Sequence, residues 1–324
     1  MNLSEITDPV LGHLEKFNTY FKAMLQTKVS LLNLILKYVT SKKGKQLRPV
    51  LVFLSAQASG GVTQRSYIAA ALVELLHTAT LIHDDVVDEA SERRGLASIN
   101  AKWNNKIAVL VGDYLLSKGL ITAIDAGEFD FLSVTSKAVK RMSEGELLSI
   151  DKSRSISVDE ETYFKIISDK TASLLSTCCE IGAMSSSNNE LYREAMREYG
   201  ESIGIAFQIR DDIFDYTSRS SLIGKPVGND IKEKKITLPL IYALNNSNEK
   251  EKSSIVKLIK RGKLKKAEIA SIIEFVNVKK GIEYSEESAK MYIEKAKSSL
   301  GVFPESPAKE SLLRFTEFVL TRDN

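Results

Sequence analysis

Two aspartate clusters lie at the ends of apolar helical segments in this 324-residue chain. They share one internal spacing and consist of Asp84, Asp85 and Asp88, and of Asp211, Asp212 and Asp215. Residues four apart lie on one face of a helix, so the first and last acid of each cluster repel one another. Aspartates on apolar helices are also costly to bury without a partner. A hard divalent cation such as Mg²⁺ relieves both problems, and the pattern predicts two acidic walls of one metal-filled cleft.

Basic residues near both clusters suit a phosphate group. Arg93 and Arg94 follow the first cluster, and guanidinium groups bind phosphate in a planar, bidentate manner. Lys45 and Arg48 are three residues apart at a predicted helix entry, where the helix N-terminus favours anions. The lysine-bearing segment 219–239 follows the second cluster and could close over phosphates as a lid. Together, the acids and bases predict a diphosphate substrate held through Mg²⁺.

Each of these stretches also has a structural interpretation. A run of charges is usually a solvated helix face, and the basic segment could be an exposed loop. His77 lies two turns before Asp84 on roughly the same helix face, where it could donate to a phosphate oxygen. A single histidine on an apolar helix is more often a core residue. The recurrence of the acid spacing favours the functional interpretation.

The chain as a whole predicts one all-α domain over residues 1–324. Apolar residues recur at helical spacing, strand-like alternation is scarce, and no Gly/Ser/Pro-rich linker divides the chain. The formal charge of +3 gives no indication of a nucleic-acid partner. Adjacent Cys178 and Cys179 lack the spacing of a disulfide framework or a metal site. With no signal peptide and no uninterrupted apolar run of about 18 residues, we expect a cytoplasmic protein without a transmembrane segment.

Six motifs, in a fixed order, carry a family resemblance. They are GKxxRP, HTATLIHDDVVDEAxxRRG, YxxIIxxKTAxL, GxAFQIRDDIFDY, GKPVGND and KITLP, and they lie across nearly the whole chain. This set resembles the trans-isoprenyl diphosphate synthases, or polyprenyl synthetases, and particularly the long-chain octaprenyl and solanesyl synthases. The resemblance implies a bundle of mostly antiparallel helices around a deep central cavity, usually in a homodimer. It also implies Mg²⁺ as the cofactor, with about two to three ions bound through oxygen ligands.

The activity that the resemblance implies is chain elongation. Isopentenyl diphosphate and an allylic diphosphate would be the substrates. The product would be a long all-trans polyprenyl diphosphate, for use in a lipid such as a quinone side chain. Ionisation of the allylic diphosphate gives an allylic cation, which the double bond of isopentenyl diphosphate attacks before a proton is lost. Metals and basic side chains favour ionisation because they neutralise the leaving group.

The resemblance also assigns roles to individual residues. The metal ligands would be Asp84, Asp85, Asp88, Asp211, Asp212 and Asp215. Isopentenyl diphosphate would be bound by Lys45, Arg48, His77 and Arg94. The allylic substrate would be bound by Arg93, Lys170, Thr171, Gln208, Lys225 and Lys235. The chain departs from the family pattern at Lys43 and Lys234, where glycine is usual, and at Ser149, where glutamine is usual.

The helix before Asp84 should line the tunnel for the growing chain. In the family, aromatic residues four and five positions before the first aspartate stop elongation early, and here those positions are Thr80 and Ala79. Leu76 lies one turn further back, and the first aromatic residue upstream is Tyr67. The helix from Tyr67 to Asp84 is ~25 Å long, which at ~5 Å per isoprene unit accommodates about five or more units past the metal site. We therefore expect a long-chain product of about six to nine units. Alternatively, the small residues serve close helix packing, or the opposing wall closes the tunnel sooner, and the product is shorter.

Other functions are compatible with parts of the sequence. A short-chain farnesyl or geranylgeranyl diphosphate synthase would keep the same chemistry with a shorter tunnel. A class I terpene cyclase shares the first acid cluster, but its second metal motif normally contains Asn, Ser or Thr and Glu. A non-catalytic subunit of a heteromeric synthase generally lacks one or both clusters. The presence of both clusters here favours a catalytic synthase.

Overall fold

The computed structural model describes residues 3–41, 46–93, 95–155, 159–217 and 228–321. Almost all of these residues are helical, which confirms the all-α prediction, and the only strands within them form one short hairpin. Three predicted phosphate-binding residues, Lys45, Arg94 and Lys225, lie outside the described residues.

Seventeen α-helices occur in the described parts of the chain. The first nine are α1 (Leu3–Thr7), α2 (Leu11–Met24), α3 (Ser30–Val39), α4 (Leu47–Ser59), α5 (Gln64–Val87), α6 (Ile99–Lys102), α7 (Asn105–Asp125), α8 (Phe129–Ser155) and α9 (Glu160–Ile167). The remaining eight are α10 (Ser173–Met184), α11 (Glu190–Thr217), α12 (Asn229–Lys232), α13 (Leu238–Asn245), α14 (Glu249–Arg261), α15 (Lys266–Val278), α16 (Gly281–Ser299) and α17 (Pro307–Thr321). A π-helical turn, Ser168–Ala172, joins α9 to α10, and short 3-10 turns lie at Asp8–Val10 and Leu300–Val302.

Helix α5 is a core helix that ends at the first acid cluster. Thr63 precedes it in an extended conformation, and its backbone N–H donates to Ser66 Oγ at 3.1 Å, which fixes the start of the helix. The helix is apolar on nearly every side because it packs against α4, α7 and α10. At its other end the Asp88 N–H donates to the Asp84 carbonyl at 2.8 Å. The first cluster therefore lies where a buried helix reaches the surface.

Helix α11 carries the second acid cluster in its last turns. It packs against α10 and α16, and α10 also contacts α5, so α10 lies between the two acid-bearing helices. The approach of α11 to α10 is close, because a Cβ added at Gly200 would lie 2.6 Å from the Leu175 carbonyl oxygen. In both α5 and α11 the acids are near the helix C-terminus, where unpaired carbonyl groups carry partial negative charge. The backbone therefore adds to the attraction of both clusters for a cation.

A short β-hairpin follows the first acid cluster. Strand β1 (Glu92–Arg93) pairs antiparallel with β2 (Leu96–Ala97), with Arg93 opposite Leu96. Gly95 makes the turn with φ +70°, a conformation that glycine adopts at little cost. Ser98 closes the hairpin, since its hydroxyl donates to the Ala90 carbonyl at 2.6 Å. The prediction missed the strands because each contains only two residues.

Two helices, α5 and α7, are long and apolar enough to cross a membrane by length and composition alone. In the most apolar window of α5, 61% of the residues are buried, as in the core helix of a folded domain, whereas the corresponding value for α7 is 33%. The sequence search counted uninterrupted apolar runs and passed over α7, in which Asp113 and Lys118 interrupt the pattern. The exposed apolar side of α7 therefore needs an explanation of its own.

The two cysteines and the chain ends fit a compact arrangement. Cys178 and Cys179 are buried free thiols in α10, as the sequence predicts, and burial raises the pKa of Cys179 to about 12. Helix α1 packs against α17, so the two ends of the described chain meet. One domain over residues 1–324 stays a prediction.

Candidate active site

The first acid cluster divides into two exposed carboxylates and one buried carboxylate. Asp84 and Asp88 are exposed at the end of α5, whereas Asp85 is only 3% exposed. Arg93 Nε donates to Asp85 Oδ1 at 2.7 Å, so the hairpin that carries Arg93 is tied to the end of α5. Asn100 Nδ2 adds a bond to the Asp85 carbonyl at 3.1 Å. Asp84 and Asp88 are thus the members of this cluster that face the cleft.

Negative charge accumulates around Asp84. Loss of surrounding water raises the pKa of Asp84, and repulsion from Asp88 and Glu146 raises it further. Lys170 and Arg93 act in the opposite direction on the pKa of Asp84 without cancelling the rise. A site in which carboxylates repel one another in this way is suited to a cation.

In the second cluster the middle acid is again the buried one. Asp212 is 5% exposed, and it accepts hydrogen bonds from Tyr163 Oη at 2.7 Å and from Gln208 Nε2 at 2.8 Å. Burial raises the pKa of Asp212 to about 8, with a further contribution from repulsion by Asp230. Thr171 Oγ1 donates to Gln208 Oε1 at 3.0 Å, which extends the hydrogen-bonded chain to the π-helical turn.

Asp215 closes the second cluster against the segment that follows it. Its two carboxylate oxygens accept the backbone N–H groups of Asn229 at 2.9 Å and Asp230 at 3.0 Å. Burial raises the pKa of Asp215, and these hydrogen bonds act in the opposite direction. Asp211 is partly buried on the same helix. The second cluster therefore fixes the start of α12 as well as offering carboxylates to the cleft.

Lys235 connects the two clusters electrostatically. Partial burial lowers the pKa of Lys235, but its 2.6 Å ion pair with Glu233 raises the pKa above its ordinary value. Attraction by Asp230 and Asp88 raises the pKa of Lys235 further. Lys235 is thus attracted both to Asp88 of the first cluster and to Asp230 beside the second, and we interpret the space between the ends of α5 and α11 as one cleft.

The π-helical turn places Lys170 at the same cleft. Lys170 Nζ forms an ion pair with Glu146 of α8. Glu146 raises the pKa of Asp84, and Lys170 lowers it. Glu146, Tyr163 and Asp230 are not among the predicted site residues, although Tyr163 and Asp230 occur in two of the six motifs. For Tyr163 and Asp230, their positions within the motifs could have indicated a role in the site.

The backbone at Lys234 explains why glycine is usual at this position. Lys234 has φ +60°, in the left-handed region where a side chain costs free energy and glycine does not. Its Nζ donates to the Lys260 carbonyl at 3.2 Å, which helps to hold this conformation. The departure therefore changes the backbone strain before Lys235 and leaves the position of the neighbouring lysine intact.

Two cavities lie on opposite sides of α5. A cavity of about 140 Å³ is lined by His77, Asp85 and Arg93 together with residues of α2 and α3. Arg48 is half-buried at the start of the neighbouring α4. A second cavity, of about 250 Å³ and mainly apolar, lies between α5, α7 and α8. Its lining residues are Leu72, Leu76, Leu116, Gly119, Leu120, Thr135, Ser136 and Val139.

The apolar cavity continues a stripe that begins at the first acid cluster. Asp84, Thr80, Leu76 and Leu72 are spaced by four residues and so follow one another along the helix, with ~6 Å between neighbours. Thr80 is partly exposed, and its hydroxyl donates to the His77 carbonyl at 3.0 Å. The stripe predicts a path from the acids to the cavity ~18 Å long as far as Leu72.

The structure corrects the expectation for Tyr67 and adds a packing role for Ala79. Tyr67 does not end the path, because it lies on the other side of α5, where its hydroxyl bonds His13 Nδ1 at 2.8 Å and its ring packs on Phe53. Five residues separate Tyr67 from Leu72, and five residues rotate a side chain to the far face of a helix. Ala79 is fully buried in a cluster with residues of α7, so its small size also serves close helix packing.

The donor set fits a metal that completes its coordination with substrate and water. The described residues contain no group of three or more His, Cys, Asp or Glu side chains gathered closely enough to hold a metal ion. Mg²⁺ is commonly held by one or two carboxylates, with phosphate oxygens and waters as its other ligands. The exposed Asp84 and Asp88, whose charges repel, match this requirement.

Comparisons with known proteins agree with the fold. The model of the polyprenyl synthetase family matches residues 29–276. The all-trans-nonaprenyl-diphosphate synthase (geranyl-diphosphate specific) of Rhodobacter capsulatus is 35% identical over 319 residues, which cover 98% of this chain and 97% of that protein. A short chain isoprenyl diphosphate synthase of Methanothermobacter thermautotrophicus is 34% identical over 292 residues, 89% of each chain.

A solved structure shows the same architecture. The decaprenyl diphosphate synthase from Rhodobacter capsulatus superposes with a TM-score of 0.92 and 29% sequence identity, covering 98% of both chains. The all-α fold, the two acid clusters and the six ordered motifs are thus accompanied by similarity over the full length of the chain. The chain therefore belongs to the polyprenyl synthetase family and is a chain-elongating prenyltransferase.

Proposed function

We propose that the protein condenses isopentenyl diphosphate with an allylic diphosphate and repeats the reaction to make a long all-trans polyprenyl diphosphate. The observation that carries this proposal is the meeting of two acid clusters at one cleft, beside Lys170 and Lys235 and at one end of an apolar path. Long-chain relatives such as the nonaprenyl synthase support the length of the product.

About two to three Mg²⁺ ions are the cofactor in this proposal, because that ion is bound through carboxylate and phosphate oxygens. When bound, they would neutralise the diphosphate leaving group and so favour ionisation. Asp84 and Asp88 would supply ligands on one wall, and Asp211 and Asp215 on the other. Asp85 and Asp212 would act from behind, since Arg93 and Tyr163 already bind their carboxylates.

Basic residues divide between the two substrates. We assign Arg93, Lys170, Lys225 and Lys235 to the allylic diphosphate, and Lys45, Arg48, His77 and Arg94 to isopentenyl diphosphate. His77 supports a separate place for isopentenyl diphosphate, because it lines the cavity on the opposite side of α5 from the apolar path. Arg93 also lines this cavity, so it would lie between the two diphosphates. The two substrates would then approach the end of α5 from different sides.

The reaction needs charge stabilisation more than a protein base. The C1–O bond of the allylic substrate breaks with its electron pair on the diphosphate, which Lys170 and Lys235 neutralise. The double bond of isopentenyl diphosphate forms the new carbon–carbon bond, and the released diphosphate takes the proton. Thr171 and Gln208, which are hydrogen-bonded to each other, would stabilise the allylic cation with their oxygen atoms.

Phe131 is the residue that we propose closes the far end of the path. It is fully buried one turn beyond Thr135, which lines the cavity and donates to the Phe131 carbonyl at 2.8 Å. The guanidinium of Arg65 covers the ring at 4.9 Å from its centroid. Phe131 belongs to the same buried cluster as Leu72, which supports a place for its ring near the deep end of the path.

Substitutions along the path should change product length according to depth. Thr80→Phe is expected to stop elongation about one unit beyond the acids and Leu76→Phe about two units beyond, because ~6 Å of helix separates the positions. Phe131→Ala should lengthen the product. Product chromatography, with the rate of the first condensation as the control, measures each effect. Equal product lengths in Thr80→Phe and Leu76→Phe would exclude a path along this face.

The dependence on metal tests the proposed reaction itself. Purified protein with farnesyl diphosphate and labelled isopentenyl diphosphate should incorporate label with Mg²⁺, lose this activity in excess EDTA and recover it when Mg²⁺ is restored. No incorporation with Mg²⁺ would point to a non-catalytic subunit. Release of hydrocarbon without consumption of isopentenyl diphosphate would point to a cyclase.

The exposed side of α7 supports a homodimer. Leu110, Ile121 and Ile124 are each about half exposed and lie along one helix face, with ~16 Å of helix between Leu110 and Ile121. A patch of this kind on a helix is commonly covered by a partner, and we propose a second copy of the chain. Sedimentation equilibrium should give a dimer, and Ile121→Glu should weaken it.

We also propose a cytoplasmic location, in keeping with the free thiols of Cys178 and Cys179.

A further inference from the structure

A cluster of mainly charged side chains outside the diphosphate site joins four helical elements. Arg141 of α8 donates from Nε to Asp169 Oδ1 at 2.7 Å and from Nη2 to Glu201 Oε1 at 2.7 Å. Nη2 also donates to Ser168 Oγ at 2.8 Å, and Lys165 Nζ donates to Asp169 Oδ2 at 2.9 Å. We call these five residues the Arg141 cluster. It ties α8 and α11 to the π-helical turn.

The π-helical turn is the element that this cluster holds. Ser168 and Asp169 are its first two residues, and Lys170 follows directly. Turns of this type are rare and frequently lie at functional sites. Helix α8 also touches the backbone of the turn one helical turn beyond Arg141, because a Cβ added at Gly145 would lie 2.9 Å from the Lys170 nitrogen. The orientation of Lys170 thus depends on how α8 holds the turn.

The ionic contacts of the cluster are strong enough to constrain the turn. Burial alone would raise the pKa of Asp169, but hydrogen bonds from Lys165 and Arg141 lower the pKa below its ordinary value. Burial lowers the pKa of Arg141, but its hydrogen bonds to Glu201 and Asp169 raise the pKa well above its ordinary value. Removal of the guanidinium would leave a buried carboxylate with one cation fewer, which is costly. The turn would move to restore hydration to Asp169.

We propose that Arg141 is a positioning residue for prenyl transfer: it holds the π-helical turn in the conformation that directs Lys170 at the allylic diphosphate. This inference rests on the role proposed above for Lys170. Arg141 acts through the turn and does not itself bind substrate. Misplacement of a binding group by a small distance is enough to slow an enzyme substantially.

The test compares two arginines with similar surroundings. The side chain of Arg141 is 37% exposed and binds a buried carboxylate of the π-helical turn, whereas that of Arg193 is 32% exposed and binds the buried Glu180 of α10. Arg141→Met is expected to lower kcat/KM for the allylic substrate by about tenfold to thirtyfold, with KM for isopentenyl diphosphate unchanged. Arg193→Met should stay within about twofold of the wild type. Equal losses in both variants would mean a general structural effect and would overturn the proposal.

A double variant separates action through Lys170 from an independent effect. In a Lys170→Met background, Arg141→Met should add less than about a twofold further loss, because the group that it positions is already gone. Multiplicative losses would contradict the proposal. If Arg141→Met does not fold, Arg141→Lys keeps the charge, loses the paired hydrogen bonds and should show the same pattern.

Hydrogen exchange gives a reading that does not depend on activity. Amides of residues 168–173 should exchange faster in Arg141→Met than in Arg193→Met, because the turn has lost its clamp. Unchanged exchange there would overturn the proposal even if activity fell. If the wild-type protein showed no prenyl-transfer activity, the proposed function would be contradicted. The exchange comparison would still test whether Arg141 holds the turn.

Discussion

Asp84→Asn is expected to reduce kcat/KM for prenyl transfer by about a thousandfold or more. Asparagine has nearly the same shape, so the change removes one negative charge and one metal ligand and little else. The repulsion among Asp84, Asp88 and Glu146 shows that this carboxylate lies in a site already rich in negative charge. Without it, the cation that neutralises the leaving group is held less tightly, and the carbon–oxygen bond ionises more slowly.

The measurement is steady-state incorporation of isopentenyl diphosphate over a range of Mg²⁺ concentrations. The required Mg²⁺ concentration should rise as the rate falls. Asp125→Asn is the matched control, since Asp125 is an exposed aspartate at the end of another long helix, α7. Wild-type turnover in Asp84→Asn at ordinary Mg²⁺ would remove this residue from the metal site.

Lys170→Met should reduce kcat/KM by about a hundredfold, with most of the effect on the allylic substrate. The substitution removes a cation from the diphosphate. It also removes the ion-pair partner of Glu146, which already repels Asp84. Both effects weaken binding of the diphosphate, because both make the site more negative.

The control for this variant is another lysine–glutamate pair. Lys140 lies on the exposed side of α8 at 3.7 Å from Glu144, and Lys140→Met should leave turnover unchanged. Separate KM values for the two substrates are the informative measurement. If KM for isopentenyl diphosphate rose instead of that for the allylic substrate, the assignment of Lys170 would be wrong.

The sequence was sufficient for the helices and for the location of both acid clusters. Apolar periodicity of 3.6 residues is a local property, and α5 and α11 therefore follow from their own residues. The four-residue spacing of Asp84 and Asp88 likewise needs only helix geometry. That both clusters meet at one cleft stays a prediction from their common spacing, and the attraction of Lys235 to Asp88 and Asp230 supports it.

The sequence could not show which acid of each cluster is buried. Asp85 and Asp212 are buried because Arg93 and Tyr163 reach them from elements distant in the chain. Spacing treats all acids of a cluster alike, whereas burial depends on what packs against them. The same limit applies to Glu146, whose ion pair with Lys170 is a tertiary contact.

Helix rotation accounts for the error at Tyr67. The expected tunnel length used only the distance along the helix axis from Tyr67 to Asp84 and did not consider on which face of the helix Tyr67 lies. Rotation by five residues places its ring against Phe53, away from the path that begins at Thr80. The π-helical turn is a comparable case, since its extra residue changes the register of a helix in a way that periodicity does not reveal.

The most direct test of the account is chromatography of the products made from farnesyl diphosphate and isopentenyl diphosphate with Mg²⁺. We expect a ladder that ends at one long polyprenyl diphosphate of about six to nine units, as similarity to the nonaprenyl synthase suggests. A product that stops at three or four units would preserve the chemistry but contradict the long path. No product at all would contradict the central claim that the two acid clusters form a prenyl-transfer site.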